Sequence, residues 1–122
     1  MRAFISKLES EGNLVRISRE VSVEYEAASI LAALDGKPVY FEKIMESKIP
    51  LVGNILSSRD LVAKALGVGR EKIIHRLSWA INNLRKPEVL DNGLCQEVED
   101  GNVNLRLLPI LKHMPGDRGI YV

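Results

Sequence analysis

Two histidines, one cysteine and two closely spaced pairs of glutamates are the residues of this 122-residue chain whose types most readily do chemistry. Catalysis or metal binding would most cheaply use His75 or His113, because imidazole changes charge near neutral pH. Neither has a His-x-x-x-His or Cys-His partner in the sequence, and Glu71 and Asp117 serve equally well as solvent-exposed companions. Cys95 would act as a nucleophile only beside a base, and no local motif supplies one; a buried small apolar residue is the expectation. Glu24/Glu26 and Glu97/Glu99 stand at i, i+2, which puts both members on one face of a strand but on different faces of a helix. Glu97 and Glu99 could therefore act as paired carboxylates if burial separates their pKa values, although an exposed strand face is the plainer explanation.

"ALGVGREK" invites a phosphate-loop reading, since Gly67, Gly69 and Arg70 at a helix start would offer amides and positive charge to an anion. It lacks Walker spacing and a preceding strand, so a helix-to-helix turn is the better reading. Arg70, Lys72, Arg76, Arg85 and Lys86 suggest a basic stripe, but Glu71 interrupts it and no interleaved aromatics support base stacking. A solvated helix face is expected there.

Seventeen basic and sixteen acidic residues give a net charge of +1, which carries none of the electrostatic footprint of a general nucleic-acid binder. The 46% hydrophobic content suffices for a real core in one domain of ordinary size. A single cysteine excludes an intramolecular disulfide and a cysteine-rich zinc site, and fits a reducing cytosol. No signal peptide is visible and no run approaches the ~20 apolar residues of a membrane helix, so the expected location is cytoplasmic.

The elements follow from periodicity and punctuation. Phe4, Ile5 and Leu8 predict a helix over 2–11 stopped by Gly12, and "NLVRISR" predicts a short strand. "SVEYEAASILAAL" predicts a second helix with Asp35-Gly36 as its exit. "KPVYFEKI" and "IPLVGNIL" predict two strands, and Ser57 or Ser58 caps a helix "RDLVAKALG" ended by Gly67. Ile73, Ile74, Leu77, Ala80, Ile81 and Leu84 predict a long amphipathic helix from Arg70 to Arg85, stopped by Pro87. Beyond a boundary near residue 90, "LCQEVE" and "NVNLRLLPIL" predict strand-like pieces around the turn Asp100-Gly101. After the Pro115-Gly116-Asp117 turn, Gly119–Val122 predicts a strand too short to pair well, so the ending looks cut.

Taken together, three stretches carry a resemblance. "FISKLESEGNLVRISREVSVEYEAASIL" is similar to the opening of the UbiD-like carboxy-lyases. "KPVYFEKI" with "IPLVGNILSSRDLVAKALGV" resembles that family's "FENV" strand, Gly-Asn turn and capped helix. "LCQEVEDGNVNLRLLPILKHMPGDRGIYV" resembles its passage of "QEVV", "DVDL" and "LPIL.H...GDGGPYI", except that Arg118 stands where a second Gly is common. The resemblance spans essentially the whole chain. Its spacing is most like that of archaeal members, a subgroup that includes the anhydromevalonate phosphate decarboxylases, whose product is isopentenyl phosphate.

The resemblance implies an α+β fold: an α/β layered domain over 1–92, with a small mixed sheet and about four helices, then the first strands of a split β-barrel over 93–122. It implies the N-terminal, non-catalytic part of a reversible decarboxylase of unsaturated or aromatic acids that uses prenylated FMN with Mn2+ and K+. The remainder of the enzyme, its barrel and C-terminal domains, is the implied partner, in a homo-oligomer. Catalytic, flavin-binding and metal-ligating residues are expected from later segments, so the resemblance assigns none here. The alternative is a stand-alone interaction subunit that completes a partner's sheet by strand addition, and a third reading is phosphate binding at the Gly67–Arg70 turn. An exposed tail edge would also allow an artificial dimer between copies.

Overall fold

The computed structural model describes residues 1–99 and 101–117. Helix α1 (Arg2–Ser10) leads into strand β1 (Val15–Val21), helix α2 (Glu26–Ala33), strand β2 (Val39–Ile44), strand β3 (Leu51–Gly53) and helix α3 (Arg59–Leu66). A 3-10 turn (Arg70–Lys72) then opens helix α4 (Ile73–Asn82). The sheet order is β1-β2-β3, with β1 parallel to β2 and β3 antiparallel to it. This is the α+β layered domain with four helices and a small mixed sheet; its three strands are not closed into a barrel.

The parallel pair needs a crossover, and α2 supplies it. Val21, Ala27, Val39, Phe41 and Ile44 form the buried cluster, with Ile30, Leu31, Leu34 and Leu111 packed against it. Strict alternation from Val39 and Phe41 would turn Lys43 inward. Instead the register slips: Ile17 faces Phe41 but Glu20 faces Lys43, leaving Ser18 and Arg19 opposite Glu42 alone. Beyond this bulge Val21 pairs with Ile44, both buried, and Lys43 stays exposed.

Helix ends follow their punctuation closely. Gly12 (φ 70°) and Gly67 (φ 66°) take the left-handed conformation that only glycine adopts without cost. Around them Asn13 N–H donates to Leu8 O and Val68 N–H to Ala63 O, closing two Schellman turns. Ser58, not Ser57, is the cap: its Oγ accepts from Leu61 N–H at 3.2 Å. Asn54, with φ 57°, ends β3 early and turns its amide back on α2, donating to Leu31 O (2.8 Å) and Leu34 O (3.2 Å). Leu31 O is a last-turn carbonyl that the helix itself leaves unpaired, whereas Leu34 O, at the C-cap, also accepts from Lys37 N–H at 2.9 Å.

Three expectations are corrected. α2 starts at Glu26 rather than Ser22, because Tyr25 at φ 68° cannot continue a helix backwards. α4 ends at Asn82 rather than Arg85: Asn82 and Asn83 side chains bond back to Ser78 O and Trp79 O, competing with the backbone. The strand-like pieces at 94–99 and 102–111 are instead 3-10 turns, Leu94–Gln96 and Leu105–Leu107, followed by a single bridge from Lys112 to Glu24. Alternation creates a strand only where another strand meets its backbone groups, and among the described residues these pieces meet none. Asp100 and the expected strand Gly119–Val122 lie outside the described residues.

Phe41→Ala is expected to lower stability by about 3–5 kcal/mol, since it empties the centre of the cluster. Asn54→Ala, which removes both bonds and leaves the Leu31 carbonyl unpaired, is expected to cost about 1–3 kcal/mol. Urea midpoints of the two variants against the parent check both values.

Candidate functional site

Open α/β sheets bind ligands at the carboxyl ends of their parallel strands. Here that end carries a groove of about 860 Å³, lined by Glu20, Glu42, the β2–β3 loop and Leu107. The chain itself lies across it. Ser47 Oγ donates to Leu107 O at 2.5 Å, and Leu111 packs against the buried cluster. Lys112 then bridges the β1–α2 turn: Tyr25 N–H donates to Lys112 O at 3.0 Å and Lys112 N–H to Val23 O at 3.1 Å.

The carboxylates around this end hold backbone rather than a substrate. Glu46 accepts from Ser22 Oγ (2.5 Å) and Val23 N–H (3.0 Å), and Glu26 accepts from Ser22 N–H (2.9 Å) and Arg19 (2.5 Å). The Ser22 amide, then Arg19, draws the Glu26 carboxyl below its ordinary value. For Glu46, partial desolvation pushes upward, but the Ser22 hydroxyl and Val23 amide outweigh it and the net shift is downward. Glu24 pairs with Lys112 Nζ at 3.3 Å. Glu24 and Glu26 thus diverge to different partners and do not form an acid–base pair.

The remaining candidates are also dispersed. His75 stands on exposed α4, and His113 is exposed, its backbone N–H bonded to Asp117 Oδ2 at 2.9 Å. Met114 N–H shares that carboxylate, so Asp117 caps a turn. Cys95, expected to be buried, is exposed, because its segment lies outside the packed layers. Glu97 and Glu99 are exposed and lie in no strand, so the shared-face argument lapses for them. Among the described residues, no group of three His, Cys, Asp or Glu is placed to hold a metal ion, and no helix is long and apolar enough to cross a membrane.

At the glycine turn, the Glu71 carboxylate folds against Gly69, where a side chain would otherwise stand. A negative charge at that position opposes an anion, and Arg70 is turned to Asp60 at 3.7 Å. Arg76 lies 4.8 Å over the Trp79 ring, so the basic stripe is partly engaged within α4 itself.

What α4 does present is apolar surface. Ile74 is 75% exposed and Ile81 71%, and Leu84, just beyond, is 86% exposed. Val89, Leu90, Leu94, Val98, Val103 and Leu105 continue the exposed run. Periodicity legibly marked α4 as amphipathic; nothing in the sequence marked its apolar side as uncovered.

Fold and surface therefore define an α+β domain with an exposed apolar helix side. Residues 5–81 match the family model of the 3-octaprenyl-4-hydroxybenzoate carboxy-lyase N-terminal domain, and the chain belongs to that family. It is 36% identical over 121 residues to the anhydromevalonate phosphate decarboxylase of Methanosarcina mazei, covering 99% of this chain and 28% of that protein. The enzyme of the same name from Methanothermobacter thermautotrophicus is 32% identical over the whole chain, again spanning 28% of the relative. Among solved structures, an evolved dimeric form of the UbiD-class enzyme HmfF from Pelotomaculum thermopropionicum, in complex with prFMN, superposes with a TM-score of 0.89. It is 29% identical and is matched over 99% of this chain and 30% of its own. Vanillic acid decarboxylase from Sedimentibacter hydroxybenzoicus superposes at 0.82 with 28% identity, over 99% of this chain and 29% of its own. The chain spans less than a third of each of these relatives.

Glu26 and Glu46 have folded-state values below their unfolded ones, so their stabilisation is complete above the ordinary carboxylate range and is lost as pH falls through the folded values. Stability is expected to hold from neutral pH down to that range and to decline below it. Glu26→Gln should flatten this acid limb in urea titrations across pH. Millimolar inorganic phosphate is expected to leave the Tm unchanged, because Glu71 occupies the glycine turn; a saturable rise in Tm would restore that site.

Proposed function

We propose that these residues serve as the N-terminal, non-catalytic part of a UbiD-class decarboxylase that removes, or reversibly adds, a carboxylate on an unsaturated or aromatic acid with prenylated FMN. The observation that carries this is full-length similarity of the chain to the amino-acid sequences and structures of such enzymes at under a third of their length. Decarboxylation leaves an electron pair on carbon, and the flavin supplies the electron sink that side chains lack. In this reading Mn2+, K+ and the flavin belong to the remainder of the enzyme.

Residues 1–92 are then the N-terminal domain and 93–122 the opening of the cofactor-binding barrel. The exposed apolar run from α4 onward supports this division, since the barrel would cover it. Strand addition by a stand-alone subunit is the weaker reading: edge strand β1 is bulged and lined with Arg16, Arg19 and Glu20, and β3 has only three residues. The acid we assign is anhydromevalonate phosphate, giving isopentenyl phosphate, in a cytoplasmic homo-oligomer; the 36% and 32% identities to enzymes of that name support it.

The product of the complete reading frame, loaded with prenylated FMN, is expected to release CO2 from anhydromevalonate phosphate and not from vanillic acid. Turnover of vanillic acid alone would overturn the substrate while leaving the class. The 122-residue chain alone is expected to be inert with either acid, and activity from it would overturn the non-catalytic role.

A further inference from the structure

Tyr25 is the one bulky residue described with positive φ (68°, ψ −34°), and Glu26 N–H donates to Glu24 O at 2.8 Å across it. That is a γ-turn of the rarer hand, strained for any residue with a side chain. The strain sits at the start of α2, where Ala27 N–H reaches Ser22 O and Ser29 N–H reaches Tyr25 O. Such a conformation persists only where its surroundings over-determine it.

The surroundings here come from far along the chain. Lys112 clamps the turn with two backbone bonds, a 3.3 Å pair to Glu24 and an ammonium 5.2 Å above the Tyr25 ring. Ser47 fixes the other end of the same segment at Leu107, and Leu111 between them packs on the core. We propose that residues 107–112 are a latching strap, and that the docked strap and the strained Tyr25 turn form and release together as one two-state unit. Release lets Tyr25 return to ordinary φ, frays the first turn of α2 and opens the groove at the carboxyl ends of β1 and β2. Displacement of the segment beyond Lys112 is thereby transmitted to the core of the domain.

Amide hydrogen exchange on the intact chain tests this. The Ala27 amide, which closes the first turn of α2 on Ser22 O and is not bonded to the strap, and the Lys112 amide are expected to exchange at opening rates within about threefold of each other and faster than the amides of β2, which report global unfolding. Leu111→Ala is expected to accelerate both by a common factor, about tenfold, with the β2 amides lagging. In a Tyr25→Gly background, where no strain remains to couple them, the same change should accelerate Lys112 well beyond Ala27. Wild-type Ala27 exchanging with the β2 amides while Lys112 exchanges freely would overturn the proposal, and that comparison needs no variant to fold.

Discussion

The structure depends on β2 being paired on both sides and buried on one face. Its parallel bonds to β1 force a crossover, the crossover is α2, and α2 is where Val39 and Phe41 find cover. β3 closes the other edge over only three residues. Because so short a strand holds weakly, Asn54 at its end is bound into α2 and fixes sheet to helix with two hydrogen bonds.

A core of this size leaves little stability in reserve, and the sheet's carboxyl end shows how polar groups meet the demand. Glu26 and Glu46 satisfy the amides of Ser22 and Val23. Among the described residues no buried side-chain nitrogen or oxygen lacks a partner. Exposed ion pairs such as Arg16 with Glu9 and Glu42 add orientation more than energy, tying α1 to the sheet. The end of the sheet where a nucleotide-binding fold would seat its ligand is here spent on holding the chain's own segment 107–112.

On the outside the balance reverses. α4 has good helical periodicity and every one of its residues is at least partly exposed. A helix of ten residues is marginal by itself, and the described residues leave most of its apolar side exposed. The exposed apolar residues of α4 and of 84–108 are what the proposed remainder of the enzyme would cover.

Local rules made much of this legible in the amino-acid sequence. Glycine at Gly12 and Gly67, serine at the α3 cap and the alternation of Val39 and Phe41 each act within a few residues, so they state their element directly. The family likeness was readable for the same reason, as ordered short motifs. Tertiary structure decided the rest: a γ-turn at Tyr25 has no local signature, because a tyrosine takes positive φ only when distant groups, here Lys112, hold it there. It also decided that Leu94–Glu99 is not a strand, since a ladder's hydrogen bonds belong to two segments and one sequence window sees only one of them. Cys95 was exposed for that reason, and Glu24 and Glu26 were separated by the turn between them. What a residue does to its own backbone was written in the sequence; what the fold does to a residue depended on partners tens of positions away.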